Sequence, residues 1–171
     1  SALKDRFGKE LIHQRCTIHK DRNLQRHLPK RWREEAHCRF RNALAMRTYE
    51  DARQELNRLE VWLAERNESA AASLREAKEE LLTLHRLEVP PALRVSLHST
   101  NVIESLFSTV RHCEKNLKRY PNSRMAQRWL AAVALYAEEQ FRTVKGFQFI
   151  PEVADRIKAL QAERQALKQA A

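Results

Sequence analysis

The sequence predicts a mainly α-helical chain, and three observations carry that prediction. Only two glycines, Gly8 and Gly146, and five prolines occur in 171 residues, whereas sheet-rich domains need many turns and turns draw on glycine. Leu, Ala, Glu, Arg and Lys dominate, all of them good helix formers. Between the breakers, apolar residues recur at spacings of three and four. With 43% hydrophobic residues the chain can build a core, which excludes general disorder.

The elements follow in order. Residues 10–16, Glu-Leu-Ile-His-Gln-Arg-Cys, alternate loosely and lack helix caps, so they form the one strand candidate. Thr17 caps a helix to about Leu28, stopped by Pro29. A second helix covers Arg31 to Met46 through Trp32, Ala36, Phe40 and Ala43 or Leu44. A third starts at Thr48 with Ala52, Leu56, Leu59 and Leu63 on one face. A fourth opens at Ser69 with Ala70, Leu74, Ala77, Leu81 and Leu84, and the two make an antiparallel hairpin turning near Asn67–Ser69. Val89-Pro90-Pro91 breaks the chain, because proline cannot continue a helix and restrains its predecessor. Beyond it a helix from Asn101 to Lys118 ends before Pro121. Asn122 or Ser123 caps the next, towards Phe141, with Gly146 in the turn that follows. Pro151 begins a last helix.

Charge is unevenly spread. Residues 1–49 hold 13 Lys and Arg against 5 Asp and Glu; residues 50–90 hold 6 against 10; residues 91–171 hold 13 against 7. Two basic ends around an acidic middle suit a polyanion, DNA or RNA, better than a membrane. No apolar run approaches the roughly 20 residues of a membrane span, and residues 1–6 hold no signal-peptide core. Three irregularly spaced cysteines, Cys16, Cys38 and Cys113, argue against a disulfide scaffold and for the cytosol.

On the Asn101–Lys118 helix, Ile103, Leu106, Phe107, Val110 and Leu117 are expected to be buried. Glu104, Ser108, Arg111 and Lys115 share a polar face beside them. An acid in a first turn is favoured by the helix dipole whatever else it does. Arg111, Lys115, Lys118, Arg119, Arg124 and Arg128 gather at one helix–turn–helix-like corner, a solvated basic face or a set of phosphate contacts without base readout. Cys16 and His19 could make half a zinc site with His37 and Cys38, but neighbouring ligands on a helix diverge. No glycine loop cradles a phosphate and no third group orients a Cys–His nucleophile, which disfavours nucleotide hydrolysis and thiol catalysis. Trp32, Trp62 and Trp129 read as core, with Trp62 partly exposed.

An ordered set of strings completes the reading. Ser99-Thr100-Asn101-Val102-Ile103-Glu104-Ser105 is followed by Phe107-Ser108, Val110-Arg111 and Asn116-Leu117-Lys118-Arg119. Then come Met125, Arg128-Trp129, Ala137-Glu138 and Phe141-Arg142 with Gly146. Upstream lies Arg15-Cys16-Thr17-Ile18-His19-Lys20-Asp21-Arg22-Asn23 with Leu28-Pro29. In order and separation these resemble the C-terminal half of mutator-type bacterial insertion-sequence transposases, over nearly the whole chain. The resemblance implies a ribonuclease-H-like core with an Asp, Asp, Glu triad for DNA strand cleavage and transfer, and Glu104 matches the third member. Cys16 and His19 match its Cys-x-x-His motif and, with Asn101, would support the active site.

The fold it implies is a ribonuclease-H-like fragment over 1–29, a helical insertion over 30–91 and a C-terminal helical part of the catalytic core over 92–171. The second Asp would fall just upstream of Ser1, so this fragment is expected to be inactive alone. Its cofactor would be Mg²⁺ or Mn²⁺ on Glu104 with the Asp partners, none being tightly bound by the fragment. Its partner would be DNA, both transposon ends and target, in a bacterial cytoplasm beside the nucleoid. The alternative is a helical DNA-binding or protein-interaction module without catalysis, dimerising as a homodimer through residues 48–88, in which Glu104 is a helix-end acid.

Overall fold

In the computed structural model, which describes residues 5–6 and 11–169, regular structure is helical and no strand occurs among the described residues. The helices are α1 (Thr17–Arg26), α2 (Lys30–Ala45), α3 (Tyr49–Ala64), α4 (Glu68–Leu81), α5 (Thr83–Arg86) and α6 (Pro91–Leu97). They are followed by α7 (Asn101–Glu114), α8 (Ser123–Glu138), a 3₁₀ turn (Phe147–Phe149) and α9 (Ile150–Gln169). The chain divides into two compact units, residues 1–99 with 145–171, and residues 100–144.

The first unit is built on α2, α3 and α4. Thr48 caps α3 by accepting from the Asp51 N–H at 3.1 Å. Asn67 caps α4 by accepting from Ala70 at 3.0 Å, so the cap falls two residues before the expected Ser69. Asparagine wins because its carbonyl oxygen reaches the third residue on while its own backbone stays extended. The α1 start also shifts. Cys16 holds the cap position without a side-chain cap, and Thr17 is already helical.

Leu56, Leu59, Leu63, Leu74 and Leu81 on the α3–α4 hairpin pack with Phe40, Ala36 and Ala43 of α2 and with Leu24 and Leu28. Trp62 belongs to this core at 8% exposure, contrary to the expected partial exposure. Its ring meets Trp32 edge-on, centroids 5.9 Å apart, and the Arg66 guanidinium lies 4.0 Å over it. The flat cation covers the ring face and helps to keep it from water.

The expected strand over 10–16 is corrected: residues 11–16 carry no regular structure. A strand needs a neighbouring ladder, and this segment spends its polar groups on α4 and its flanks. The Arg15 N–H donates to Glu80 O at 2.9 Å, and the Gln14 amide donates to Leu81 O at 3.1 Å. Thr83 Oγ1 donates to His13 O at 2.6 Å. Lys20, 7% exposed, donates to Ser73 O at 2.7 Å and pairs with Glu76 at 3.2 Å. Hydrogen bonds from Arg15 and Lys20 hold the Glu76 carboxyl below the usual range.

At the break, Glu88 takes φ 50° and Val89 N–H returns to Leu84 O at 2.9 Å, which ends α5 in a left-handed cap. Pro90 and Pro91 then start α6. The Arg94 guanidinium reaches back to Val89 O, Met46 O and Arg47 O at 3.0 to 3.4 Å. Arg156 of α9 donates to Leu87 O at 3.0 Å and Glu88 O at 2.9 Å. Two arginines thus satisfy the carbonyls that the turn and the prolines leave open. Gly146 has φ 72°, and a Cβ there would stand 2.6 Å from Leu93 N, so this position requires glycine.

The second unit is the α7–α8 hairpin. Asn122 caps α8, accepting from Met125 N–H at 2.8 Å. Val110, Val133 and Ala137 are its buried residues. The expected burial of the whole α7 stripe does not hold. Ile103 is 56% exposed, Phe107 51% and Leu117 39%, because two helices alone offer each other one narrow seam. Trp129, read as core, is likewise exposed.

Candidate functional site

Glu104 lies in the first turn of α7 and is exposed. Its N–H bonds to Thr100 O at 2.9 Å, and the Thr100 hydroxyl donates to its carboxylate at 2.5 Å. The hydroxyl thereby orients one carboxylate oxygen and caps no backbone N–H of the helix. Asn101 opens the same turn and is exposed.

The six bases occupy the far end of this hairpin. Arg111 is in the last turn of α7, and Lys115 is its C-terminal cap residue. Lys118 and Arg119 lie in the connection, and Arg124 and Arg128 in the first turns of α8. All six are exposed. At 1.5 Å per residue, Arg111 stands about 10 Å along the axis from Glu104. Tyr120 in this connection hydrogen-bonds Glu114, and that bond, with partial desolvation, pushes its hydroxyl up to about 12. The hairpin carries Glu104, together with Glu138 and Glu139 from the end of α8, at its open end and exposed cations around its turn, and the cationic turn suits a phosphate backbone.

Cys16 and His19 are brought together in the other unit: His19 Nδ1 lies 3.1 Å from Cys16 Sγ. Their turn is anchored by Thr17, whose N–H and hydroxyl both donate to His98 O, at 3.0 and 3.1 Å. The zinc alternative does not assemble. His37 Nδ1 is 2.7 Å from Asp21 Oδ2, and Cys38 lies against Glu34 of its own helix. Among the described residues no three His, Cys, Asp or Glu side chains group closely enough to hold a metal ion.

Sequence reasoning missed Arg94, Lys20 and Arg66, whose partners lie 5 to 56 residues away in the chain or across an aromatic pair. A basic residue near a proline break is the one local signal that pointed to Arg94.

No helix among the described residues is long and apolar enough to cross a membrane. Searches of curated proteins and of solved structures returned no match. The family description "Transposase, Mutator family" matches residues 1–144. That span holds the Cys16–His19 pair, the α3–α4 hairpin and the whole unit bearing Glu104, so the chain belongs to the Mutator family of transposases.

Proposed function

We propose that this chain is the portion of a Mutator-type transposase that contributes Glu104 as the third carboxylate of an Asp, Asp, Glu site and grips DNA through the α7–α8 hairpin. One observation carries the reading. Glu104 and six exposed bases lie on a single hairpin, the acid in the first turn of α7 and the bases around the other end. Strand cleavage and transfer would belong to the site completed by two further carboxylates. Cys16, His19 and Asn101 would support that site, and residues 30–91 would be the helical insertion. Ile103 and Phe107, more than half exposed, are consistent with a helix that rests on the sheet of a ribonuclease-H-like core, since large apolar patches on a helix want a cover.

The homodimer alternative through residues 48–88 has less to recommend it. Its apolar positions are already used within the first unit, and Val61 is the large hydrophobic residue of that stretch left exposed. The test is fluorescence anisotropy of a labelled DNA duplex with rising salt. Expected is binding whose log affinity falls steeply with log salt, with a slope lowered by about 2 when Lys118 and Arg119 are both replaced by Ala. No binding at low salt, or a slope indifferent to these residues, would refute the reading.

A further inference from the structure

A cleft of about 590 Å³ opens in the first unit between the α2–α3 connection, α5 and the Pro90-Pro91 break. Arg47, Arg86 and Arg94 line it with Glu50 and Glu88, three positive charges against two. Each charge has a different fate. Glu88 pairs with Arg156 at 3.3 Å, and Arg94 is committed to the carbonyls of Val89, Met46 and Arg47. The exposed guanidiniums of Arg47 and Arg86 have no hydrogen bond or ion pair with a described residue. His85 in the wall is 4% exposed and held neutral by burial and by Arg94, so it adds no competing charge. The start of α3 also lines the cleft. Thr48 satisfies the Asp51 N–H, while the N–H groups of Tyr49 and Glu50 are first-turn donors without intrahelical acceptors. A concave site lined by two uncommitted guanidiniums and by first-turn residues with free amides matches the chemistry of a phosphate group. Glu50 is the one acid of the lining that opposes it.

We propose that this cleft binds phosphate through Arg47, Arg86 and the first amides of α3, and that in the DNA-bound protein it takes a backbone phosphodiester. The choice of DNA as the source rests on the function proposed above; the phosphate chemistry does not. The site lies outside the six bases of the α7–α8 hairpin and would give the chain a second hold on the DNA strand.

Two measurements on the whole chain test this. In the first, amide shifts are followed by NMR as inorganic phosphate replaces chloride at constant ionic strength. Shifts are expected at residues 46–50 and 85–91. They should vanish in the R47A/R86A double variant and appear at several-fold lower phosphate in E50Q. Both arginines are exposed, so the fold should survive their loss. Absent shifts, or shifts unchanged in the double variant, would overturn the site. In the second, duplex DNA binding is measured against salt. R47A/R86A should weaken binding about threefold to tenfold and flatten the slope by about 0.9, the loss of one phosphate contact. An unchanged slope beside Arg-dependent phosphate shifts would assign the cleft to free phosphate and overturn DNA as its source. Failure of the wild-type chain to bind DNA would sink the proposed function, while the phosphate titration would still judge the cleft.

Discussion

Acidification from pH 7 to 4.5 should destabilise the first unit chiefly through one side chain, His85. This imidazole is 4% exposed, and Nε2 donates to Met46 O at 3.1 Å. Burial first, then the Arg94 charge, lower its pKa from 6.5 to about 4, against the opposing pull of the Met46 and Leu44 carbonyls. Because the folded value lies below the unfolded one, the unfolded chain takes up the proton first. Stability is therefore full above pH 6.5 and falls as pH drops towards 4. With those two values the loss between pH 7 and 4.5 comes to about 2 kcal/mol, or roughly 5 °C in Tm. Glu60 and Glu76 are held below their usual value by their Lys and Arg partners. They lose their stabilisation only at lower pH, which leaves this window to the histidine. Urea unfolding followed by circular dichroism at the two pH values gives the loss, and His85→Gln should remove most of it. An NMR titration placing the His85 imidazole near 6.5, or an equal pH loss in His85→Gln, would refute the argument.

Three further outcomes are expected. Leu74→Ala, at a fully buried position of α4, should cost about 3 kcal/mol in urea unfolding; a cost under about 1 kcal/mol would mean that the α2–α3–α4 core collapses around the gap. Gly146→Ala puts a Cβ against the Leu93 backbone at φ 72° and should cost about 2 kcal/mol or more; a neutral result in thermal melts would deny that the approach is tight. Glu104→Gln should change stability by less than about 0.5 kcal/mol, since the carboxylate is exposed. A large loss of helix on circular dichroism would instead favour a purely structural helix-end role.

What could be read without coordinates was local. Thr48 and Asn122 cap the helices they precede, and the Pro90-Pro91 pair ends one region and starts another. The α3–α4 hairpin buries the stripe its spacing announces. These depend on contacts within four residues, where residue type nearly determines geometry. The family was legible for a different reason: the strings around Glu104 and Cys16 resemble it, and the matched span of residues 1–144 agrees with that resemblance.

Tertiary structure decided the rest, because burial and hydrogen bonding depend on which surfaces meet. The alternation in residues 10–16 suggested a strand, yet His13, Gln14 and Arg15 hydrogen-bond to α4 and its flank. Ile103 and Phe107 have the spacing of a buried stripe and are exposed, since the α7–α8 hairpin buries only a narrow seam. Arg94 and Arg156 close carbonyls at a turn that sequence marks only as a proline break. The sequence by itself determined that Thr48 and Asn122 cap helices and that Glu104 lies in the first turn of another. Only the fold determined that Arg47 and Arg86 share a cleft, because residues 39 positions apart in the chain meet there through the packing of α5 beside the start of α3.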